Sequence, residues 1–208
     1  MKSYPSIAHK INSEDVIWAF DKLDGSNIRA EWSKKRGFYK FGTRKMMIDE
    51  KNRHLGKSVT LIKKLYAEEL GKRFLDQKWD RSVVCYFEFY GPHSFSGQHR
   101  KIDDHTVTLF DVSVHKEGFV HPNRFIDLFE DLGTPKMLYK GRADQEFVED
   151  VRNFNLPGMT LEGVVCKAPN PKGQKTGKRV CFKVKTQRWL DKLKEECGDD
   201  ERKFEKLS

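Results

Sequence analysis

Two kinds of short apolar segment alternate along this chain, one with the hydrophobic periodicity of β-strands and one with that of α-helices. Val16 to Leu23 is a continuous run rich in β-branched and aromatic residues, and Ile28, Ala30 and Trp32 alternate with polar residues, as is typical of strands. Between Ser58 and Phe74, by contrast, leucines and phenylalanine recur near helical spacing. Because the two kinds of segment are mixed throughout, the sequence predicts an α+β fold.

The remaining segments extend this pattern without a linker, repeat or low-complexity stretch between them. Clusters of β-branched and aromatic residues predict strands at Val83–Phe89, Val107–Val114, Leu161–Lys167 and Val180–Val184. Helical spacing predicts helices at Asn123–Leu132 and Glu146–Phe154, and a charged terminal helix over about residues 187–208. We therefore expect a single domain over residues 1–208.

The charge balance narrows the class of partner. Forty Lys and Arg residues against 31 Asp and Glu residues give a net charge of +9, so an anion such as nucleic acid or a nucleotide is expected. No apolar run is long enough to span a membrane, and the first residues lack the apolar core of a secretion signal. The four cysteines are too widely spaced for a zinc site. We expect a cytoplasmic protein with reduced thiols, in which oxygen atoms hold any catalytic metal.

Lys22-Leu23-Asp24-Gly25 follows an apolar strand and begins a turn. An amine at the end of a strand could meet a bound phosphate there. Equally, Asp24-Gly25 is ordinary turn chemistry and Lys22 could be solvated. The pattern alone does not decide between a nucleotide site and a plain turn.

Charged residues also interrupt several otherwise hydrophobic strands. Glu88 lies within a run of aromatic residues, Glu162 precedes Gly-Val-Val, and Lys183 and Lys185 alternate with Phe182 and a valine. Alternation places the two lysines on one face of a strand, where both could meet one phosphate chain. Each charge taken alone could be an outward-facing strand residue, but a buried unpaired charge costs several kcal/mol, so together they indicate a site.

The order of these motifs resembles that of the covalent nucleotidyltransferases, the superfamily of DNA ligases, RNA ligases and mRNA capping enzymes. Five motifs of that superfamily match in order: KxDG at Lys22–Gly25, FEFYG at Phe87–Gly91, LFD at Leu109–Asp111, EGxV at Glu162–Val165 and KxK at Lys183–Lys185. The resemblance implies a nucleotidyltransferase domain of antiparallel sheets flanked by helices.

The resemblance also implies a role for each matching residue. Lys22 is expected to form a covalent bond to AMP taken from ATP. Lys183 and Lys185 are expected to neutralise its phosphates, and Glu162 to hold Mg²⁺. Glu88 is expected to accept a hydrogen bond from the sugar, and Phe110 to stack on adenine. The other residues expected to contact the nucleotide or the strand end are Asp24, Gly25, Asn27 and Arg44.

The branch of the superfamily is indicated by departures from the general pattern. Asn27 stands where DNA ligases and capping enzymes usually have Arg, which is similar to the KxxGxN form of a phage RNA ligase group, although that group has His at the position of Asp24. Few residues follow Lys185, too few for the β-barrel domain that DNA ligases and capping enzymes carry there. The resemblance is therefore to an ATP-dependent RNA ligase of phage type, reduced to its adenylyltransferase domain.

Such a ligase would transfer AMP to a 5′-phosphate end and seal that end to a 3′-hydroxyl. RNA ends are the expected substrate, with an end-healing kinase or phosphatase as a candidate partner, in the cytoplasm of a bacterium or a phage-infected cell. A monomer that does not use a membrane is expected. The alternatives are the catalytic domain of a DNA nick ligase, a GTP-dependent capping-type nucleotidyltransferase, and a nucleic-acid-binding protein on a decayed ligase scaffold.

A basic connection from Pro169 to Arg179 joins the last two predicted strands. It contains Lys172, Lys175, Lys178 and Arg179 and no acidic residue, and Arg100 and Lys101 form a second basic pair. Cations of this kind grip nucleic-acid phosphates, so these six residues are the predicted nucleic-acid contacts. The same composition also fits a solvated loop, and the sequence leaves both open.

Overall fold

A computed structural model describes residues 1–4, 16–92, 104–169 and 180–207 of the chain. These residues fall into two compact units. The first unit contains residues 1–4, 24–92 and 104–135, and the second contains residues 16–23, 136–168 and 180–207. Neither unit is a continuous piece of the chain. Whether the two act as one domain stays a prediction.

The elements mix strands and helices throughout. The strands are β1 (Val16–Asp21), β2 (Ser26–Ser33), β3 (Gly37–Gly42), β4 (Met47–Ile48), β5 (Val83–Tyr90), β6 (Thr106–Val114), β7 (Gly118–Phe119), β8 (Met137–Arg142), β9 (Gly163–Lys167) and β10 (Cys181–Lys185). The helices are α1 (Gly56–Asp76), α2 (Pro122–Phe129), α3 (Gln145–Arg152), α4 (Gln187–Cys197) and α5 (Glu201–Leu207), and a short 3-10 turn (Glu130–Leu132) follows α2. The predicted α+β class and antiparallel sheets are confirmed.

The first unit is built on a six-stranded antiparallel sheet with the strand order β4-β3-β2-β5-β6-β7. Ile28, Ala30 and Trp32 of β2 face the core. Helix α1 contributes Val59, Ile62, Tyr66, Leu70 and Phe74 to the same core. The opposite face carries Asn27, Arg29 and Glu31, because side chains alternate along a strand. We call this opposite face the polar face.

The second unit is built on a four-stranded antiparallel sheet with the order β10-β9-β1-β8. Ile17 and Ala19 pack with Phe147 and Val151 of α3 in its core. By alternation, Trp18 and Phe20 point to the other face. Lys22, the next residue of that parity, continues this second face just beyond the end of β1.

Two details differ from the sequence predictions. The predicted terminal helix is two helices, α4 and α5, because the backbone leaves the helical conformation at Gly198, where φ is 54°. Leu65, one of the leucines that recur near helical spacing between Ser58 and Phe74, is 51% exposed, whereas its neighbour Tyr66 is buried with Ile62 and Leu70.

Among the described residues, no helix combines the length and apolar character needed to cross a membrane. All four cysteines are buried, and the described residues contain no disulfide bond.

Candidate active site

Lys22 lies where β1 ends beside the start of β9. Its backbone N–H donates to the carbonyl of Gly163 at 2.9 Å, which extends the β1–β9 pairing by one residue. The motif lysine and the motif glutamate are thereby brought together by strand pairing, although about 140 residues separate them in the sequence. The alternative of a fully solvated Lys22 is wrong, since its side chain is only 19% exposed.

Glu162 holds two ammonium groups with one oxygen. Its Oε1 lies 2.9 Å from Nζ of Lys22 and 3.5 Å from Nζ of Lys185, and the side chains of Glu162 and Lys185 are 5% and 6% exposed. The second oxygen, Oε2, is buried without a hydrogen-bond partner among the described residues. A buried carboxylate oxygen in this state is suited to accept a further polar group or a cation.

Gly163 allows this cluster to form. It pairs with Lys185 across β9 and β10, and on its other side it accepts the hydrogen bond from Lys22. Its φ is +120°, and a Cβ atom at this position would lie 2.2 Å from the carbonyl oxygen of Val184. Only glycine fits, so the glycine of the EGxV motif has a steric cause.

The pKa of Lys185 is lowered to about 7. Burial of the ammonium group is the largest cause, and the positive charges of Lys183 and Lys22 act in the same direction, while Glu162 opposes them. Lys183 and Lys185 are two residues apart on β10, so their side chains lie on the same face of the strand. The Lys185 ammonium also lies 3.3 Å from the centroid of the Trp189 ring, a cation–π contact.

Three positioning residues of this cluster escaped prediction. Buried Asp21 accepts hydrogen bonds from the backbone N–H and the hydroxyl of Thr160, at 2.8 and 2.9 Å. Burial raises the pKa of Asp21, and the hydrogen bonds from Thr160 partly offset this. Thr186 donates its hydroxyl to the Leu161 carbonyl and caps α4 by accepting from the Trp189 N–H. These contacts fix the segment that carries Glu162.

In the first unit, the other motif residues follow the turn at Asp24 and Gly25. A Cβ atom on Gly25 would lie 2.3 Å from the carbonyl oxygen of Phe89, so the turn can lie against β5 only with glycine. Asn27 and Glu88 are direct partners across β2 and β5, and both are half-buried on the polar face. The two polar side chains are therefore neighbours on one face of the sheet.

Phe110 lies at a β-bulge on the same face. Tyr86 pairs with Asp111 and Phe87 pairs with Leu109, so Phe110 is the extra residue of β6. A bulge re-aims a side chain, and the Phe110 ring remains partly exposed. A partly exposed aromatic ring can stack on a planar ligand.

The remaining predicted site residues are not part of the clusters described above. Arg44 is exposed in the turn between β3 and β4. The predicted nucleic-acid contacts Arg100, Lys101, Lys172, Lys175, Lys178 and Arg179 lie outside the described residues.

The donor set for a metal is small. Within the described part of the chain, no three His, Cys, Asp or Glu side chains form a group that could hold an ion. The buried free oxygen of Glu162 is compatible with one carboxylate ligand to a hard cation such as Mg²⁺. Phosphate oxygens and water would have to supply the others.

Comparisons with solved structures place this fold among RNA ligases. Naegleria gruberi RNA ligase with PPi matches with a TM-score of 0.62 and 18% identity, over 87% of this chain and 52% of that chain. A mutant of the same ligase with AMP and Mn matches with a TM-score of 0.64 and 15% identity, over 92% of this chain and 59% of that chain. At these identities the likeness concerns the fold alone, and the chain spans little more than half the length of these proteins.

The sequence comparisons differ in outcome. A search of curated proteins found no significant match. The family model described as RNA ligase matches residues 15–185, which include every motif from Lys22 to Lys185. Since that match covers most of the chain, the protein belongs to the RNA ligase family.

Proposed function

We propose that this protein is an ATP-dependent RNA ligase that works through a covalent lysyl-AMP intermediate on Lys22. The observation that carries the proposal is the convergence of the Lys22 and Lys185 ammonium groups on Glu162 Oε1. A lysine amine, a carboxylate and a second cation around one point are the groups needed for displacement at a phosphorus atom.

In the first step, the neutral amine of Lys22 attacks the α-phosphorus of ATP, a P–N bond forms, and pyrophosphate leaves. The ammonium group must first lose its proton. Glu162, whose Oε1 lies 2.9 Å from the Lys22 ammonium group, fixes the direction of the Lys22 side chain. Lys183 and Lys185 then neutralise charge that develops on the phosphates.

In the second step, an oxygen of the RNA 5′-phosphate attacks the lysyl-AMP phosphorus and releases the Lys22 amine. In the third, the 3′-hydroxyl attacks the activated 5′-phosphate, a phosphodiester forms, and AMP leaves. Bound Mg²⁺, for which Glu162 would supply a carboxylate ligand, would neutralise phosphate charge. On the first unit, Glu88 would accept a hydrogen bond from the nucleoside sugar and Phe110 would stack on the base. Asn27 and Arg44 would contact the phosphate or the strand end.

Several features support ATP and RNA over the alternatives. The matching family is that of RNA ligases, which favours RNA over a DNA nick. Mutants of Naegleria gruberi RNA ligase have been solved with ATP and Mn and with AMP and Mn, and the ligase has been solved with PPi. ATP and PPi are the substrate and the leaving group of the first step proposed above. The buried Lys22–Glu162 pair argues against a decayed scaffold, because unused buried charges are costly.

We further propose RNA ends with 5′-phosphate and 3′-hydroxyl groups as substrate, an end-healing kinase or phosphatase as partner, and action as a cytoplasmic monomer in a bacterium or a phage-infected cell. The net charge of +9 is consistent with RNA.

The test is incubation with labelled ATP or GTP and Mg²⁺, followed by mapping of the labelled residue. Label from ATP on Lys22, lost in Lys22→Ala, is expected. Label from GTP alone would indicate a capping-type enzyme, and no label from either nucleotide would overturn the proposal. Joining of matched nicks with RNA or DNA 3′-hydroxyl strands then separates an RNA ligase from a DNA nick ligase.

A further inference from the structure

Residues 1–4, which we call the strap, lie on the polar face of the first unit. The Arg29 guanidinium donates to the Met1 carbonyl at 3.1 Å and to the Ser3 hydroxyl. The Tyr86 hydroxyl donates to the Lys2 carbonyl at 3.2 Å. Arg29 is only 8% exposed, so these contacts compensate a buried charge. The strap is thus fixed to the sheet by hydrogen bonds along its length.

Tyr4 ends the strap next to Phe110. Its hydroxyl donates to Oδ2 of Asp111 at 2.9 Å, and both side chains are buried. Its ring meets the rings of Phe110 and Tyr86 edge-on, each at 5.0 Å between centroids, with an interplanar angle of 81° to Phe110. Phe110 therefore has one side fixed by Tyr4 while part of its ring stays exposed.

A ring at a β-bulge needs such support. The extra residue of a bulge is not paired in the ladder, so the backbone alone does not fix the direction of Phe110. The Tyr4 ring and its hydrogen bond to Asp111, the residue after Phe110, constrain both the side chain and the backbone of the bulge. An aromatic ring whose plane is fixed before the ligand arrives loses less conformational freedom on binding.

We propose that Tyr4 is a positioning residue that fixes the Phe110 ring for stacking on the nucleobase of the bound nucleotide. This inference rests on the proposed function, in which Phe110 contacts the base. It assigns a role in nucleotide recognition to a residue outside all five sequence motifs.

The test compares Tyr4→Leu and Tyr4→Phe with a matched variant. Tyr66 is also buried in the first unit, donates its hydroxyl to a carbonyl at 3.0 Å and packs on Phe87 at 5.1 Å, but it belongs to the core behind the sheet. Tyr66→Leu therefore controls for general loss of stability. For each variant, the melting temperature, the KM for ATP and the kcat of lysyl-AMP formation are measured.

Tyr4→Leu is expected to raise the KM for ATP by about 3- to 10-fold, the equivalent of one aromatic pair, with kcat changed less. Tyr4→Phe, which keeps the ring and loses the hydrogen bond, should fall between it and the wild type. Tyr66→Leu should lower the melting temperature without raising the KM. An unchanged KM in folded Tyr4→Leu would overturn the inference. If that variant does not fold, an unchanged KM in Tyr4→Phe would overturn it.

A second measurement isolates the base from the phosphates. Binding of AMP should weaken in Tyr4→Leu, whereas binding of inorganic tripolyphosphate, which has no base, should not. Equal weakening for both ligands would show that Tyr4 acts on the site in general and would overturn the inference. Calorimetric AMP binding does not require lysyl-AMP formation. If the wild-type protein does not form the adduct, the proposed function is rejected. The comparison of AMP with tripolyphosphate still tests the role of Tyr4.

Discussion

At the residue scale, the buried carboxylate of Glu162 stabilises two cations that would otherwise repel each other. Removal of its charge leaves Lys22 and Lys185 close together without a counter-ion. We expect Glu162→Gln to lower the free energy of unfolding by about 3–5 kcal/mol, the usual cost of breaking a buried ion pair. Urea unfolding provides the measurement.

The control for that prediction is Glu50→Gln. Glu50 pairs with Lys63 on the surface, where the two side chains are 47% and 46% exposed. An exposed ion pair is screened by water and contributes little to stability, so Glu50→Gln should change the free energy of unfolding far less than Glu162→Gln. Equal losses in the two variants would contradict a structural role for the Glu162 cluster.

Lys183 and Lys185 should act on the rate of nucleotide transfer. If both meet the phosphates, replacement of either by Ala should slow lysyl-AMP formation by about 10²-fold, the scale seen when one transition-state contact is removed. Lys140→Ala is the control, because Lys140 is an exposed lysine on β8 of the same sheet. Adduct formation at wild-type rate in both site variants would refute the assignment.

The lowered pKa of Lys185 predicts a pH dependence of ATP binding. With a pKa of about 7, Lys185 is charged below neutral pH and increasingly uncharged above it. Phosphates favour the charged form, so ATP binding takes up a proton above pH 7 and should weaken by up to about tenfold per pH unit there.

Metal-free calorimetry from about pH 6 to about pH 9 tests this dependence. Lys185→Arg keeps its charge over that range, so its ATP affinity should vary little. Parallel curves for the wild type and Lys185→Arg would exclude Lys185 as the titrating group.

The cluster of Lys22, Glu162 and Lys185 could be anticipated from the sequence because the types and order of these residues are distinctive. Asp21 and Thr160 could not. Their hydrogen bonds join residues 139 positions apart and depend on how β1 meets the segment before β9. No pattern among neighbouring residues of the sequence indicates such a contact.

At the scale of elements, strand register turns separate motifs into one cluster. Gly163 is paired on both sides. Its carbonyl accepts the hydrogen bond from Lys22, just beyond β1, and the residue pairs with Lys185 at the end of β10. A one-residue slip of β9 would reverse the face of Glu162. The site therefore depends on glycine at this position as much as on the charged side chains.

Gly163→Ala should be strongly destabilising. The added Cβ would contact a backbone oxygen at 2.2 Å in a conformation that L side chains rarely adopt, and we expect a loss of about 3 kcal/mol or more. Gly71→Ala is the matched change in α1, where the new Cβ would lie 3.5 Å from Trp32. It should raise stability by about 0.5–1 kcal/mol. A similar effect of both changes on the denaturant midpoint would contradict the steric argument.

Periodicity predicted the long elements well and the short or irregular ones poorly. Strand β8 escaped prediction because it lies at a sheet edge and its residues are half-buried or exposed without regular alternation. The bulge at Phe110 also has no local signal, since it is defined only by pairing with β5. Hence the sequence predicted Phe110 as a site residue through its motif but not the reason for its exposure.

At the scale of the whole molecule, the chain passes repeatedly between its two units. Lys22 and Leu23 end a segment of the second unit, and Asp24 begins a segment of the first unit. The KxDG motif therefore spans the boundary: its lysine belongs to the unit with Glu162 and Lys185, and its Asp-Gly turn belongs to the unit with Asn27 and Glu88. Motif order could be read from the sequence, whereas this division could not.

RNA binding should depend on the cations of the basic connection as well as on the net charge of the whole protein. Lys172, Lys175, Lys178 and Arg179 have no acidic neighbour in sequence between Pro169 and Arg179. If all four meet phosphates of a single strand, their change to Gln should reduce the slope of log affinity against log salt by about 0.7 per contact, close to 3 in all. Lysyl-AMP formation should continue, because that step depends on Lys22 and the strand lysines.

The control must have the same net charge, because general attraction between a protein of charge +9 and RNA also responds to salt. Changing the exposed lysines Lys57, Lys64, Lys72 and Lys78 to Gln meets this condition. Binding of a labelled RNA strand at several salt concentrations should show a flatter slope for the first variant only. Equal slopes would mean that net charge, and not the basic connection, sets RNA affinity, and loss of lysyl-AMP formation would assign those cations to the nucleotide instead.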